Sequence, residues 1–431
     1  MKRYYNRART LALSATARDT YTLFIGNVTS AFLAFLFTIL VARALSVGDF
    51  GIFSAANNLV LMIISVTDLG ISSGVINFAS KNFSEGNTTR ANEYIKAAFL
   101  LRLISVVVIS FFLIIFSKFI TNKFIATSDR EVAYWSVIII FLFLPCTFIP
   151  FVLRSKREFL KSSIVDVSVG IGRLLFVGLI VALGLASIRH TLLAYALGAL
   201  FSSLVGFYFI GVKFARARPQ KFIYLSLIRF SGWLGVSSVI SAVSGRLDIT
   251  MLAALLGATA TGIYSISSRL AFFIVLLASS YSSVLAPRFA SFGDPANVKT
   301  YIKKACLALI PMVVGILLWV LIARSFIILL FGEKYIESIP IFKALAAAMI
   351  PFLLTVPAVT AIIYAMKKPI LVGSFALFQL IATFFMNLYF IPKYGSFGPA
   401  ITFAIVNTIL AVYVWFIVIK YYWPFDKQHV K

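Results

Sequence analysis

Twelve apolar stretches, each of about 20 residues or more, follow one another along this 431-residue chain with short polar connections between them. A helix needs about 20 residues to cross the hydrocarbon core of a bilayer, which is about 30 Å thick. Inside that core every backbone N–H and C=O must be bonded within the protein, so only helices and closed barrels can span it. The stretches cover 21–45, 50–79, 97–117, 132–153, 162–188 and 191–212, then 230–256, 261–287, 305–323, 338–366, 369–392 and 394–419. They are continuously apolar and do not alternate over about ten residues, which excludes barrel strands. Mean hydropathy of +1.00 and a charged fraction of 12% agree with this, because a water-soluble domain carries about 25% charged residues. The expected fold class is an all-α integral membrane protein of about twelve transmembrane helices.

The formal net charge is +25, from 39 Lys and Arg against 14 Asp and Glu. Such an excess suits a nucleic acid or an anionic membrane surface, and its distribution decides between them. Alternate connections on one side of the membrane hold 26 of the basic residues, while those on the other side hold 8. By the positive-inside rule the basic side is cytoplasmic, so both termini are predicted there. Topology and contact with anionic lipid account for the charge, and nucleic acid is not an expected partner. Residues 1–20, with Lys2, Arg3, Arg7, Arg9 and Arg18, form a basic N-terminus. The apolar run after it is too long for a cleaved signal sequence and is read as an uncleaved first helix. The predicted layout is an N-lobe over 21–212, a cytoplasmic linker over 213–229, a C-lobe over 230–420 and a cytoplasmic tail over 421–431.

Two short patterns recur in order. Gly51-Ile52-Phe53-Ser54 opens the second stretch and Gly262-Ile263-Tyr264-Ser265 opens the eighth. Paired prolines, Pro145 with Pro150 and Pro351 with Pro357, sit in the fourth and tenth. Both halves hold six spans and so enter the membrane in the same direction, the parallel repeat of many secondary transporters. Prolines inside helices also suggest bendable elements.

Ionisable residues within the stretches carry the most information, since each costs about 3 kcal/mol on insertion scales unless it faces protein or water. They are Arg43, Asp68, Arg102, Asp166, Arg173, Arg246, Asp248 and Arg269, an excess of arginine over aspartate. A guanidinium binds phosphate oxygens with two parallel hydrogen bonds, so Arg43, Arg102, Arg173, Arg246 and Arg269 are candidates for holding an anionic headgroup. The competing reading for any one of them is an interhelix salt bridge. Asp68 could bind a coupling proton or sodium ion, or neutralise Arg102, and the neutralising role carries more weight. Arg246 and Asp248 stand two apart and would project from nearly opposite sides of a helix. Arg246 toward substrate and Asp248 toward a partner such as Arg269 is the preferred arrangement, with the reverse also open.

Little else resembles chemistry. Cys146 and Cys306 lack ligand-like neighbours, and neither His190 nor His429 sits in a metal, triad or phosphate-loop pattern. Gly170-Ile171-Gly172 lacks the third glycine and the strand of a dinucleotide fingerprint and is read as close helix packing. The expectation is therefore a non-enzyme with no catalytic residue, metal or cofactor.

Several segments together resemble the polysaccharide-transport family of the multidrug/oligosaccharidyl-lipid/polysaccharide exporter superfamily. They are Ala42-Arg43-Ala44-Leu45, Phe50-Gly51-Ile52-Phe53 and Asp68-Leu69-Gly70 in the first half. In the second they are Asp248 with Leu256-Gly257, Gly262-Ile263-Tyr264-Ser265 with Arg269-Leu270, and Ile391-Pro392 with Gly395 and Gly398-Pro399-Ala400. The resemblance implies two six-helix lobes around a central cavity lined by helices one, two, seven and eight, with Arg43, Asp68, Arg246, Asp248 and Arg269 as cavity residues. Arg102 and Arg173 fall on helices three and five, away from that lining. It also implies a flippase of the bacterial cytoplasmic (inner) membrane. The implied cargo is a polyprenyl-pyrophosphate-linked oligosaccharide, moved by alternating access for O-antigen, capsule or exopolysaccharide synthesis, with membrane lipids and polysaccharide polymerase machinery as partners. The alternatives are a multidrug cation exporter, which would need acidic or aromatic cavity groups, and a peptidoglycan lipid flippase, expected to carry two further helices. An integral-membrane polysaccharide polymerase, from another class, would need a large outer loop or clustered carboxylates.

Overall fold

A computed structural model describes residues 15–292 and 294–423. Among these the regular elements are helical: α1 (Ala15–Ala44), α2 (Val47–Asp68), α3 (Ile71–Ser84), α4 (Thr88–Ile115), α5 (Glu131–Ser155), α6 (Phe159–Ala182), α7 (Ile188–Ile210), α8 (Lys221–Ser244), α9 (Leu247–Leu256), α10 (Ala258–Ser291), α11 (Pro295–Phe331), α12 (Ser338–Thr360), α13 (Ile370–Tyr394) and α14 (Gly398–Tyr422). Polar side chains begin several of them. The Ser46 hydroxyl oxygen accepts from the Asp49 amide at 3.1 Å ahead of α2, and Asn87 does the same for α4 from the Arg90 amide at 3.0 Å. Asp294 caps α11, whose first turn holds Pro295. Each cap satisfies an amide that a helix start leaves unbonded.

Among the described residues eleven helical stretches are long and apolar enough to span a membrane, and the eleventh runs from Ile370 to Tyr422. That last stretch folds back on itself at Gly395, whose φ of 59° with ψ of −139° suits only glycine well. Its two limbs, α13 and α14, pack together: the Tyr413 hydroxyl donates to the Leu371 carbonyl at 3.1 Å, and Phe375 stacks on Tyr413 at 5.5 Å. Among the described residues the helical stretches suited to crossing a membrane therefore number twelve. Large apolar side chains such as Leu321 and Leu329 stand 74% and 71% exposed, an outer surface suited to lipid.

The structure corrects two spans expected to be continuous. The second breaks at Leu69–Gly70, both left-handed with φ of 45° and 72°. The seventh breaks at Gly245–Arg246, where Arg246 becomes the residue capping α9. Asp-Leu-Gly and Ser-Gly-Arg give the backbone a local way out of the helix, which hydropathy averaged over a stretch does not register. The paired prolines, by contrast, lie inside unbroken α5 and α12. α12 then passes into a π-turn over Ala361–Ala365.

The chain divides into two compact units, one ending at Ala242 and the other starting at Val243. α8 belongs mostly to the first, because Gly70 and Gly74 on one side and Ser231 and Gly235 on the other let it lie close on α3. A Cβ on Gly235 would come 2.6 Å from the Leu69 carbonyl oxygen, and one on Gly74 would be 3.2 Å from Ser231 Oγ. Ser54 and Ser265, at equivalent positions in the two patterns, are both buried with hydroxyls that lack a hydrogen-bond partner. Residues 1–14 and 424–431 lie outside the described residues, and with them Lys2, Arg3, Arg7, Arg9, Lys427, His429 and Lys431.

Candidate functional site

In the first unit, Asp68 is the last residue of α2, where the helix dipole disfavours a carboxylate. Arg102 of α4 answers it, with Nη1 at 3.4 Å from Asp68 Oδ1. Ser72, in the first turn of α3, donates to the same carboxylate oxygen. The guanidinium also donates to Ser72 Oγ at 3.3 Å and to Thr147 Oγ1 at 3.1 Å. Arg102 is only 2% exposed, so this network pins α2, α3, α4 and α5 together across the helix break. Of the two roles open to Asp68, the contacts are those of the neutralising one, and the fork of Arg102 is committed within the protein.

Asp166 is paired as well, but with Arg154 at the end of α5, at 2.7 Å. It stands seven residues, about 10 Å, from Arg173 along α6.

Arg173 is held differently. Its guanidinium lies 3.8 Å from the centroid of Tyr195 and 5.0 Å from that of Phe143. Phe143 stacks on Tyr195 at 5.3 Å, and Phe37 and Phe53 close on the same tyrosine at 5.9 and 6.0 Å. Five helices, α1, α2, α5, α6 and α7, thus converge on one arginine and its aromatic seat. The stem of the arginine crosses α7 where Gly198 leaves room: a Cβ there would be 2.5 Å from Arg173 Cγ. No carboxylate reaches Arg173 within salt-bridge distance among the described residues, and its Nε is buried without a hydrogen-bond partner. Cation–π attraction in a desolvated setting supplies about 2 kcal/mol, somewhat less than the about 3 kcal/mol cost of an arginine at mid-membrane.

The glycines around this seat do what the sequence reading expected of them. Gly170 admits Leu33 of α1, and Gly172 brings α6 against the Gly198 Cα.

Arg43 is exposed in the last turn of α1, where a cation complements the helix dipole. In the second unit, Arg246 precedes α9 outside its helical turns, so the opposite-sides argument for Arg246 and Asp248 does not apply. Asp248 is buried and accepts from the Tyr264 hydroxyl at 2.6 Å. Its hydrogen-bond partner is thus a tyrosine of α10, in place of the expected Arg269. Arg269 lies on the same helix, one turn and a residue further on, and is half-buried. The sequence reading missed Tyr264, Tyr195, Phe143, Ser72 and Thr147. Only Tyr264 carried a signal, as part of the repeated Gly-Ile-aromatic-Ser pattern. It also passed over Lys343, which is exposed near the start of α12.

A family profile described as polysaccharide biosynthesis protein matches residues 16–292, well over half of the chain. The chain belongs to that family. It is similar over 91% of its length, at 22% identity, to a protein named probable low-salt glycan biosynthesis flippase Agl15 of Haloferax volcanii, covering 82% of that protein. It is 27% identical over 64% of its length to the uncharacterized membrane protein EpsK of Bacillus subtilis. Over 50% of its length it is 24% identical to a putative O-antigen transporter of Shigella flexneri. The matches span little more than half of these last two proteins, 57% and 53%. Among solved structures, an inward-facing multidrug transporter of the MATE family superposes with a TM-score of 0.75, at 14% identity, over 93% of this chain and 96% of that one. The lipid II flippase MurJ in an inward closed conformation superposes with a TM-score of 0.74, at 15% identity, over 92% and 87%. The family member is therefore an all-helical membrane protein with the fold of these transporters.

Proposed function

We propose that this protein is a flippase that moves polyprenyl-pyrophosphate-linked oligosaccharide repeat units from the cytoplasmic to the outer leaflet by alternating access, serving surface polysaccharide synthesis. The observation that carries the proposal is the sign of the charge inside the spans. Asp68 and Asp166 are matched by arginines, whereas Arg173 keeps a guanidinium that no carboxylate among the described residues offsets. An interior with surplus positive charge suits an anion, and an organic cation would be repelled from it. The names of the relatives from Haloferax and Shigella point to the same class of cargo. With the inside negative, outward movement of an anion is downhill by about 2.3 kcal/mol per charge per 100 mV. The proposal includes a bacterial cytoplasmic membrane location, cytoplasmic termini, and polysaccharide polymerase machinery as a partner.

The test is reconstitution in liposomes with a fluorescent lipid-linked oligosaccharide on one leaflet. Transbilayer movement faster than in empty liposomes is expected, and Arg246→Ala and Arg269→Ala are expected to slow it while still inserting in the membrane. Movement of an organic cation, with the lipid-linked sugar left in place, would overturn the proposal.

A further inference from the structure

We infer that Arg173 is the phosphate contact of the first unit and that Tyr195 is the platform that presents it. The inference rests on the flippase reading and names the residue through which the N-terminal half meets the pyrophosphate.

Three observations converge. The first is position. Arg173 lies fourteen residues from the start of α6, about 21 Å along the helix, and nine from its end, about 13 Å. Leu160, Ile164, Ile171, Leu175 and Leu179 form the exposed apolar stripe of α6, and Arg173 points about half a turn away from it at 100° per residue. Its residual exposure is therefore not to lipid.

The second is geometry. Stacking on Tyr195 at 3.8 Å uses one face of the guanidinium and leaves its in-plane N–H edge for oxygen atoms, the edge that grips phosphate. The Phe37, Phe53 and Phe143 rings around Tyr195 hold that platform in place. Gly198 removes the side chain that would otherwise push the stem off α7.

The third is contrast with Arg102, which is sealed at 2% exposure where Arg173 is only partly buried, and which spends its terminal nitrogens on Asp68, Ser72 and Thr147. Arg173 has no such partner for its terminal nitrogens among the described residues, while the Nε of both arginines is buried without one. A guanidinium assembled by five helices, stacked, and left without an acceptor is suited to one that arrives with the cargo. The chemistry that fits is a diphosphate on a long-chain prenol.

The full chain in phosphatidylcholine nanodiscs would be titrated with geranylgeranyl pyrophosphate, with inorganic pyrophosphate and phosphatidylglycerol as competitors. Wild type should bind the prenyl pyrophosphate, and Arg173→Met should weaken binding by about tenfold or more, the loss of a charged hydrogen-bond pair. Arg173→Lys keeps the charge and a cation–π attraction but neither the planar stacking nor the fork, and should fall measurably short of wild type. Tyr195→Leu should weaken binding with the charge unchanged, and Tyr195→Phe should not. The lysine and phenylalanine variants stay informative if Arg173→Met fails to fold. Wild-type affinity in Arg173→Met or in Arg173→Lys would overturn the inference while leaving the flippase reading intact. So would displacement of the prenyl pyrophosphate by phosphatidylglycerol at equal concentration. Wild-type protein that binds no prenyl pyrophosphate would sink the flippase reading itself.

Discussion

At the residue scale, the buried Asp68–Arg102 pair is asymmetric. Arg102 is almost sealed while the Asp68 side chain is 23% exposed. Removing the carboxylate strands a buried cation, a loss of about 3–5 kcal/mol for such pairs. Removing the arginine leaves a carboxylate that retains Ser72 and some solvent. Asp68→Asn should therefore lower the thermal unfolding temperature more than Arg102→Met, and the double variant should recover part of the loss, as read by size-exclusion of heated samples. Equal losses in the two single variants would contradict this. Lys156, in the connection after α5, offers a pH-dependent counterpart. Burial lowers its pKa first of all, Glu158 raises it, and Lys161 and Lys213 lower it further. A lysine whose folded pKa lies below its unfolded value destabilises the fold while charged, and the penalty fades as pH rises from the folded pKa to the ordinary lysine value. Lys156→Gln should stabilise at neutral pH, with the advantage shrinking toward that higher pH. An advantage constant with pH would contradict the assignment.

At the scale of elements, helix contacts in this protein are built where small residues let backbones meet, since lipid supplies no hydrophobic drive between helices. On α3 and α8 the facing pairs run antiparallel, Gly70 with Gly235 and Gly74 with Ser231, so one small residue per turn sets the approach. The same logic separates two glycines of α6. A Cβ at Gly172 would lie 3.0 Å from the Gly198 Cα, whereas one at Gly178 meets nothing within 4 Å. Gly172→Ala should destabilise the fold, and Gly178→Ala should be neutral or stabilise it by about 0.5–1 kcal/mol through reduced backbone freedom. Thermal unfolding of the two variants side by side decides it, and similar shifts would mean that the α6–α7 contact is looser than described. The breaks at Leu69–Gly70 and Gly245–Arg246 belong to this scale too. Apolar runs told where helices cross the membrane, but not where they stop and restart within one crossing.

At the scale of the whole molecule, charge and hydropathy together predict a topology that can be read directly. With cysteines introduced at Gly184, between α6 and α7, and at Arg216, between α7 and α8, a membrane-impermeant maleimide added to intact cells should label the first and not the second. The reverse pattern would overturn the positive-inside assignment. What the sequence determined by itself was the environment: twelve apolar stretches, a basic side and an acidic-poor interior fix a helical membrane protein, because solvation in lipid acts on each stretch independently of its neighbours. The repeated Gly-Ile-aromatic-Ser pattern was legible for a similar reason, being local to one helix start. Partnership was decided only by tertiary structure. Whether an arginine meets Asp68, as Arg102 does, or an aromatic ring, as Arg173 does, depends on which residues of other helices stand at the same depth, and so did the choice of Tyr264 for Asp248. Sequence spacing orders residues along one helix, while a side chain's charge is answered across several.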